Sequence, residues 1–401
     1  MLLSRHFIAA ASLLLVASRS HPTHQFDQTT STWFDTVQEI IHGKCNGEYL
    51  VYQHGTPANT SSKAVVTVLV NCVLGQMSDF HKANMAASAV VLGSAPLVLQ
   101  SLGSTTAETA LLGLRRPILS FLLAAGSPTV ATLKGSDFIE MLARFVRGGE
   151  TRNLGLPGFR WNRVHKGLRP LISVAEYLLV GVAATNVLLQ AFQLGTNAIV
   201  VFVPTTAWLP SLWTLIAVLI HAGGTIALHL RVRVSIPKLD GHRKPGRGIW
   251  VPDELIPSAF QKPSQLVWRR EHVGFYGVCW FLSVCTVAHV VFGTLIFSSL
   301  LFFSVRDATK VVARYAGSAI ICRAVVRFEL AGLTEATTYD NDDAPMMPPA
   351  LTVGDELSLV EAKIETDALQ RQPVVTPPSQ HASATAPAGS TFTFPDSEHQ
   401  D

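Results

Sequence analysis

Asn186, Gln190 and Gln193 are three primary amides spaced i, i+4, i+7, and they stand inside the longest uncharged stretch of the chain, Tyr177 to Leu230. That spacing sets them on one face of a helix. An amide offers two donors and an acceptor, so such a face must meet protein or water and not lipid. Two chemistries fit. The amides could be interhelical glue, worth about 0.6–2 kcal/mol per bond, or they could form the polar wall of a permeation or ligand pathway. Glue is the expectation, with His221 or His289 as the partner across the helix interface. Glu176 lies near the same face, toward one end of it.

His221 and His289 fall in two further apolar runs, and His229 lies near the end of the first of these. Imidazoles from two helices can ligate a haem, but haem-binding bundles usually carry paired histidines and the second pair is missing here. Packing histidines are therefore expected, and no cofactor and no metal is implied. "GHRKPGRG" (241–248) lacks the order of a phosphate-binding loop. There is no HExxH, no GxSxG and no Walker motif, and no carboxylate pair is legible within an apolar run. With no nucleophile and no acid–base pair to name, a non-enzymatic protein is expected.

The elements that must position these side chains follow from composition. Of 401 residues 15% are charged and 48% apolar, whereas a soluble domain carries about a quarter charged residues. Charge-free tracts alternate with charge-rich connectors, which is the pattern of an all-α, multi-pass transmembrane bundle. About six spans are expected, near 64–80, 84–103, 113–133, 171–194, 209–230 and 274–300. Trp208 and Trp213 suit a membrane interface. Ahead of the spans, residues 1–20 have the form of a signal peptide: Arg5 and His6, then an apolar run too short to span. A short extracytoplasmic segment, 21–63, follows. It holds Cys45, for which no disulfide partner is expected, and the sequon Asn59-Thr60-Ser61, a possible N-glycosylation site.

Loop charge orients the bundle. The connector 134–170 carries eight Lys or Arg against three acids, and 231–271 carries nine against four. Basic short loops stay in the cytosol, and both connectors do so if the N-terminus is outside. Their charge also suits anionic lipid headgroups. "SDFIEMLARFV" (136–146) reads as a surface helix. Six spans, however, leave Arg306, Lys310, Arg314, Arg323 and Arg327 on the wrong side. A seventh crossing would put arginine in the bilayer at about 2.5–3.5 kcal/mol each, so 306–332 is expected as an amphipathic interfacial helix. The tail from residue 333 holds twelve acids against Lys363 and Arg371. It is rich in Pro, Ser and Thr, and is expected to be disordered.

"NCVLGQMSDFHKANMAASAVVLGSAPLVLQSLGS", "RRPILSFLLAAGSP" and "RDATKVVARYAGSAIICRAV" resemble segments of a family of uncharacterised multi-pass integral membrane proteins of filamentous fungi. The resemblance implies membrane residence and a fungal secretory route, and brings no activity or residue role with it. Plasma membrane, endoplasmic reticulum and vacuole are the compartments it allows. Function then divides into two classes. One is a transport, channel or sensing role through the polar faces of spans four to six. The alternative is a membrane scaffold that presents basic loops and an acidic tail to protein partners. Membrane lipids are expected partners in both, and nucleic acid in neither.

Overall fold

The computed structural model describes residues 26, 32–54, 62–131, 168–204, 206–235, 254–261, 265–269 and 273–338. The signal segment, Asn59, the 136–146 stretch, "GHRKPGRG" and the acidic tail lie outside the described residues. What is described belongs to one compact unit, within residues 1–343.

Ten α-helices are present among the described residues: α1 (Phe34–Gly43), α2 (Asn46–His54), α3 (Ser62–Gln76), α4 (Asp79–Leu102), α5 (Thr106–Gly113), α6 (Pro117–Gly126), α7 (Arg169–Asn197), α8 (Leu209–Arg231), α9 (Val273–Ser298) and α10 (Val305–Thr338). One short antiparallel ladder, β1 (Val232–Ser235) with β2 (Gln265–Trp268), pairs Val232 with Trp268. Four helices, α4, α7, α8 and α9, are long and apolar enough to cross a membrane. A belt of large apolar side chains faces outward from them, including Val90, Leu178, Val182, Ile226, Trp280 and Val287. Val180, Ala183 and Val187 on the opposite face of α7 are buried. Apolar residues on both faces are the signature of helices solvated by lipid on one side and protein on the other. The molecule is a helical membrane bundle.

Two of the six expected spans hold only short apolar helices among the described residues. The stretch 113–133 is broken by its prolines. Pro117 keeps Arg116 out of the helical region (φ −127°, ψ 71°), which a residue before proline avoids, and α6 ends after ten residues at Ser127-Pro128. At 1.5 Å per residue α6 is about 15 Å long, half of a bilayer core. The stretch 64–80 gives α3, a helix of fifteen residues that packs on α1 and α2 in a cap. Phe26 meets Tyr52 edge-on at 5.3 Å, and Val37, Ile41, Tyr49, Val66, Leu69 and Val73 join the same cluster. A disulfide between Cys45 and Cys72 (Cα–Cα 6.0 Å) ties α3 to the α1–α2 turn. This corrects the expectation that Cys45 is partnerless. Its partner was placed inside a span, because an apolar helix against an aromatic cap has the same composition as one against lipid.

Residues 306–332, expected as an amphipathic interfacial helix, form most of α10. Within α10, Ala308, Val311, Tyr315, Ala319, Cys322, Val326 and Leu330 are buried against α4 and α7. Two of its four arginines are held by neighbouring helices. Arg314 donates from Nε to Asn186 Oδ1 (3.0 Å) and from Nη1 to Gln193 Oε1 (3.1 Å). Arg323 Nη1 donates to the carbonyls of Ser101 and Leu102, each at 2.9 Å, the last turn of α4, where a cation complements the helix dipole.

The two ends of the bundle are distinct. At one end Val200 bridges to Leu300, Val305 N–H donates to Asn84 (2.9 Å), and Thr32 of the cap donates through its N–H and hydroxyl to Asp307 (2.8 and 2.7 Å). At the other end lie the β1–β2 ladder, the 254–261 segment and the C-terminal half of α10. Trp213, expected at an interface, belongs to the core instead. It is 1% exposed, and its indole covers Gly293, where any Cβ would collide with it. Gly293→Ala is expected to lose about 1–3 kcal/mol by overpacking, read as a lower melting temperature in detergent; an unchanged melt would contradict this packing.

Candidate functional sites

The amide face was expected to pair with His221 or His289. It pairs with α10. Asn186 Nδ2 donates to Arg314 O (3.1 Å) and Ser318 Oγ (2.8 Å), while Asn186 and Gln193 receive the Arg314 guanidinium. Gln190 is buried between them and its Oε1 receives no hydrogen bond. Two of the amides bond across to α10 and the oxygen of the third is left without a donor. Asn186→Leu is expected to cost about 1–3 kcal/mol, because it strips a charged donor of its acceptor. Gln190→Leu is expected to be close to neutral, because the buried oxygen it removes has no donor to lose. Equal losses in the two variants would refute this division.

The histidines are held separately. His289 Nε2 bonds to Trp213 O (3.0 Å), Trp213 Nε1 donates to His289 O (3.2 Å), and the two rings stack at 4.9 Å. Both ring nitrogens of His221 are engaged, Nδ1 with Thr109 Oγ1 and Nε2 with Thr129 O, each at 2.7 Å. His221 thereby connects α8 to α5 and to the backbone just past α6. This is where the helices stop short. α4 ends at Leu102, and α5 restarts at Thr106 with a capping box between Thr105 and Glu108. The two breaks touch, since Gly103 lies so close to Thr129 that a Cβ there would overlap its side chain. Ser104, Thr106, Thr109, Ser120, Ser127 and Thr129 are all buried around them. The Ser104 hydroxyl has no partner. Counting about 1.5 Å per residue from Leu209 puts His221 about 18 Å along α8, near mid-depth. Non-helical backbone at such depth persists only inside protein or against water.

The third cluster joins residues that stand far apart in the sequence. Arg116, between α5 and α6, is wholly buried. Its Nη1 lies 2.6 Å from Glu176 Oε2 on α7 and 2.8 Å from Glu329 Oε1 on α10. Nη2 donates to Ser173 Oγ (2.7 Å) and Nε to Glu254 O (3.1 Å). Glu254 caps α6, accepting from the amides of Ile118 and Leu119 (3.1 Å each) and from the Tyr177 hydroxyl (2.7 Å). Ser258 donates its N–H (3.1 Å) and hydroxyl (2.5 Å) to Glu329 Oε2. So a buried carboxylate pair exists after all, made between two helices and not within one. Of the expected polar-face residues, Glu176 belongs to this cluster, Asn186 and Gln193 hold Arg314, and His221 and His289 occupy two further places. Arg116, Glu254 and Glu329 were not anticipated. The signal available for them was a pair of arginines at the mouth of an apolar run, which burial obliges to find acids.

No protein-family model, curated protein or solved structure matches the chain.

Proposed function

We propose that this is a multi-pass protein of a secretory-pathway membrane that moves or senses a small polar solute, at the interrupted helices around His221. The observation that carries this reading is the meeting of two helix breaks deep in the bundle, at Gly103–Thr105 and Ser127–Thr129, with hydroxyls gathered about them. Helices broken at mid-depth are where membrane carriers expose backbone and hydroxyl groups to a substrate. The fungal-family resemblance is in keeping with the membrane and adds nothing on the solute.

The same reading takes the disulfide-bonded cap as extracytoplasmic, since disulfides persist in oxidising compartments. It takes the basic connectors as cytosolic, against anionic headgroups. α4 with α5, then α7, α8, α9 and α10, make five crossings, and α6 enters and leaves from the cytosolic side. Five crossings put the acidic tail in the cytosol and remove the parity conflict that six spans create. The paired contacts of Arg314 and Arg323 offset the cost that argued against a crossing by α10. An epitope tag after Asp401 should be protected in sealed vesicles that keep the cap in their lumen only if this parity is wrong; its digestion together with the connectors is the expected result.

A thiol scan tests the pathway itself. With Cys279, Cys285 and Cys322 replaced by alanine, Ser104→Cys and Thr109→Cys should react with a small hydrophilic thiol reagent, and Leu178→Cys on the lipid face should not. The scaffold reading has one observation in its favour, the consumption of Asn186 and Gln193 in holding α10. Two unreactive thiols at 104 and 109 would decide for it.

A further inference from the structure

Among the described residues the Arg116 cluster has one negative charge too many. Glu176 and Glu329 are 4% and 0% exposed, Arg116 is 0% exposed, and the formal charges are one plus against two minus. Glu254 does not share this arginine's charge through its carboxylate. That group is bound by the positive end of α6 and by the Tyr177 hydroxyl, and only its backbone carbonyl meets Arg116. A net buried charge with no counter-ion is expensive, and a buried carboxyl escapes the cost by taking up a proton. The oxygens agree with the count. Glu176 Oε2 and Glu329 Oε1 meet the same nitrogen, Arg116 Nη1, at 2.6 and 2.8 Å, which sets the two buried carboxyl groups side by side, and Glu176 Oε1 receives no hydrogen bond. Two carboxylates are acceptors only, and such a contact closes when one of them carries a hydrogen.

We propose that Glu176 and Glu329 together bind one exchangeable proton, with Arg116 balancing the second charge, beneath a latch formed by residues 254–261. The proton comes from water and returns to it. Among the described residues, Arg116 from the α5–α6 turn and Ser258 from the latch bond to the pair, and Ser173, Tyr177 and Glu254 surround the arginine. With the proton in place the cluster is neutral and Ser258 holds the latch on Glu329. With the proton gone, two anions face each other across α7 and α10, and the repulsion falls on the end of the bundle that the latch closes. The site does not depend on a solute pathway at His221 and stands if that pathway is absent.

Infrared spectroscopy of the full-length protein in detergent tests this directly. At neutral pH the wild type should show the C=O band of a buried protonated carboxylic acid, shifted by deuterium oxide and by carbon-13 glutamate. The band should disappear as pH is raised, together with a fall in melting temperature. Glu176→Gln and Glu329→Gln, which keep the neutral shape, should each remove the band and flatten the alkaline loss of stability; Glu254→Gln should keep it. No protonated-carboxyl band in the labelled wild type would overturn the proposal, and that measurement needs no variant to fold. So would a band that survives both glutamine variants, or melting that follows sodium concentration and ignores pH, which would make the pair a metal-cation site.

Discussion

Arg116→Met will leave Glu176 and Glu329 facing each other with no cation, and the protein is expected to lose about 3–5 kcal/mol, the usual result of removing one partner from a buried ionic group. Methionine keeps most of the volume, so the loss is electrostatic and not a cavity. The cost should appear as poor recovery from membranes and an early melt in detergent. Because the damage is the unpaired charge, it should be reversible in place. The triple variant Arg116→Met/Glu176→Gln/Glu329→Gln buries no net charge and should recover most of the stability, a coupling that additive single effects cannot produce. A triple variant as unstable as Arg116→Met alone would show that the guanidinium matters for its bonds to Ser173 and the Glu254 carbonyl, and that charge balance is secondary.

Loss of the Cys45–Cys72 bond comes next in size. Removing a native disulfide from a small module costs about 2–5 kcal/mol, and here the module is the α1–α3 cap. Cys45→Ser and Cys72→Ser should each expose the cap to protease while the bundle from α4 to α10 stays intact. The double variant should be no worse than either single one, since both remove the same link. A bundle that collapses with the cap would mean that the cap is part of the core and not a lid upon it.

What the sequence discloses about this fold follows charge closely. The uncharged run 177–230 divides between Asn197 and Leu209 into α7 and α8, close to the Gly195 and Pro210 that punctuate it, and the run toward 300 gives α9, because lipid and protein interiors both reject unpaired charge. The same rule misleads where charge is paired at long range. Arg314 meets Asn186 and Gln193, and Arg323 meets carbonyls at 101 and 102, so a helix dotted with arginine sits within the bundle although its own residues argue for a surface. Glu176 and Glu329 are single acids on separate helices, and nothing short-range in either helix announces the other. The amide stripe was legible as a polar face, but its partner was sought on the wrong helix. The prolines at 117 and 128 were visible throughout. Their effect, cutting a supposed span into a half-length helix with a break at each end, is what creates the buried hydroxyl site.

The cap also sets a timetable. Phe302, in a left-handed turn with φ of 61°, packs on Phe26 at 6.2 Å and completes the cluster to which Ile199 also belongs. The disulfide can close once Cys72 is synthesised, but the aromatic floor beneath it is not made until the last hairpin of the bundle emerges. At about 5–20 residues per second, the wait between Cys72 and Phe302 is roughly ten to fifty seconds. For that interval the crosslinked module displays an unfinished greasy underside, and a chaperone in the same compartment has its longest opportunity to bind there. Slowing translation anywhere between those two residues should therefore lengthen the chaperone-bound lifetime of the nascent protein without altering its final stability.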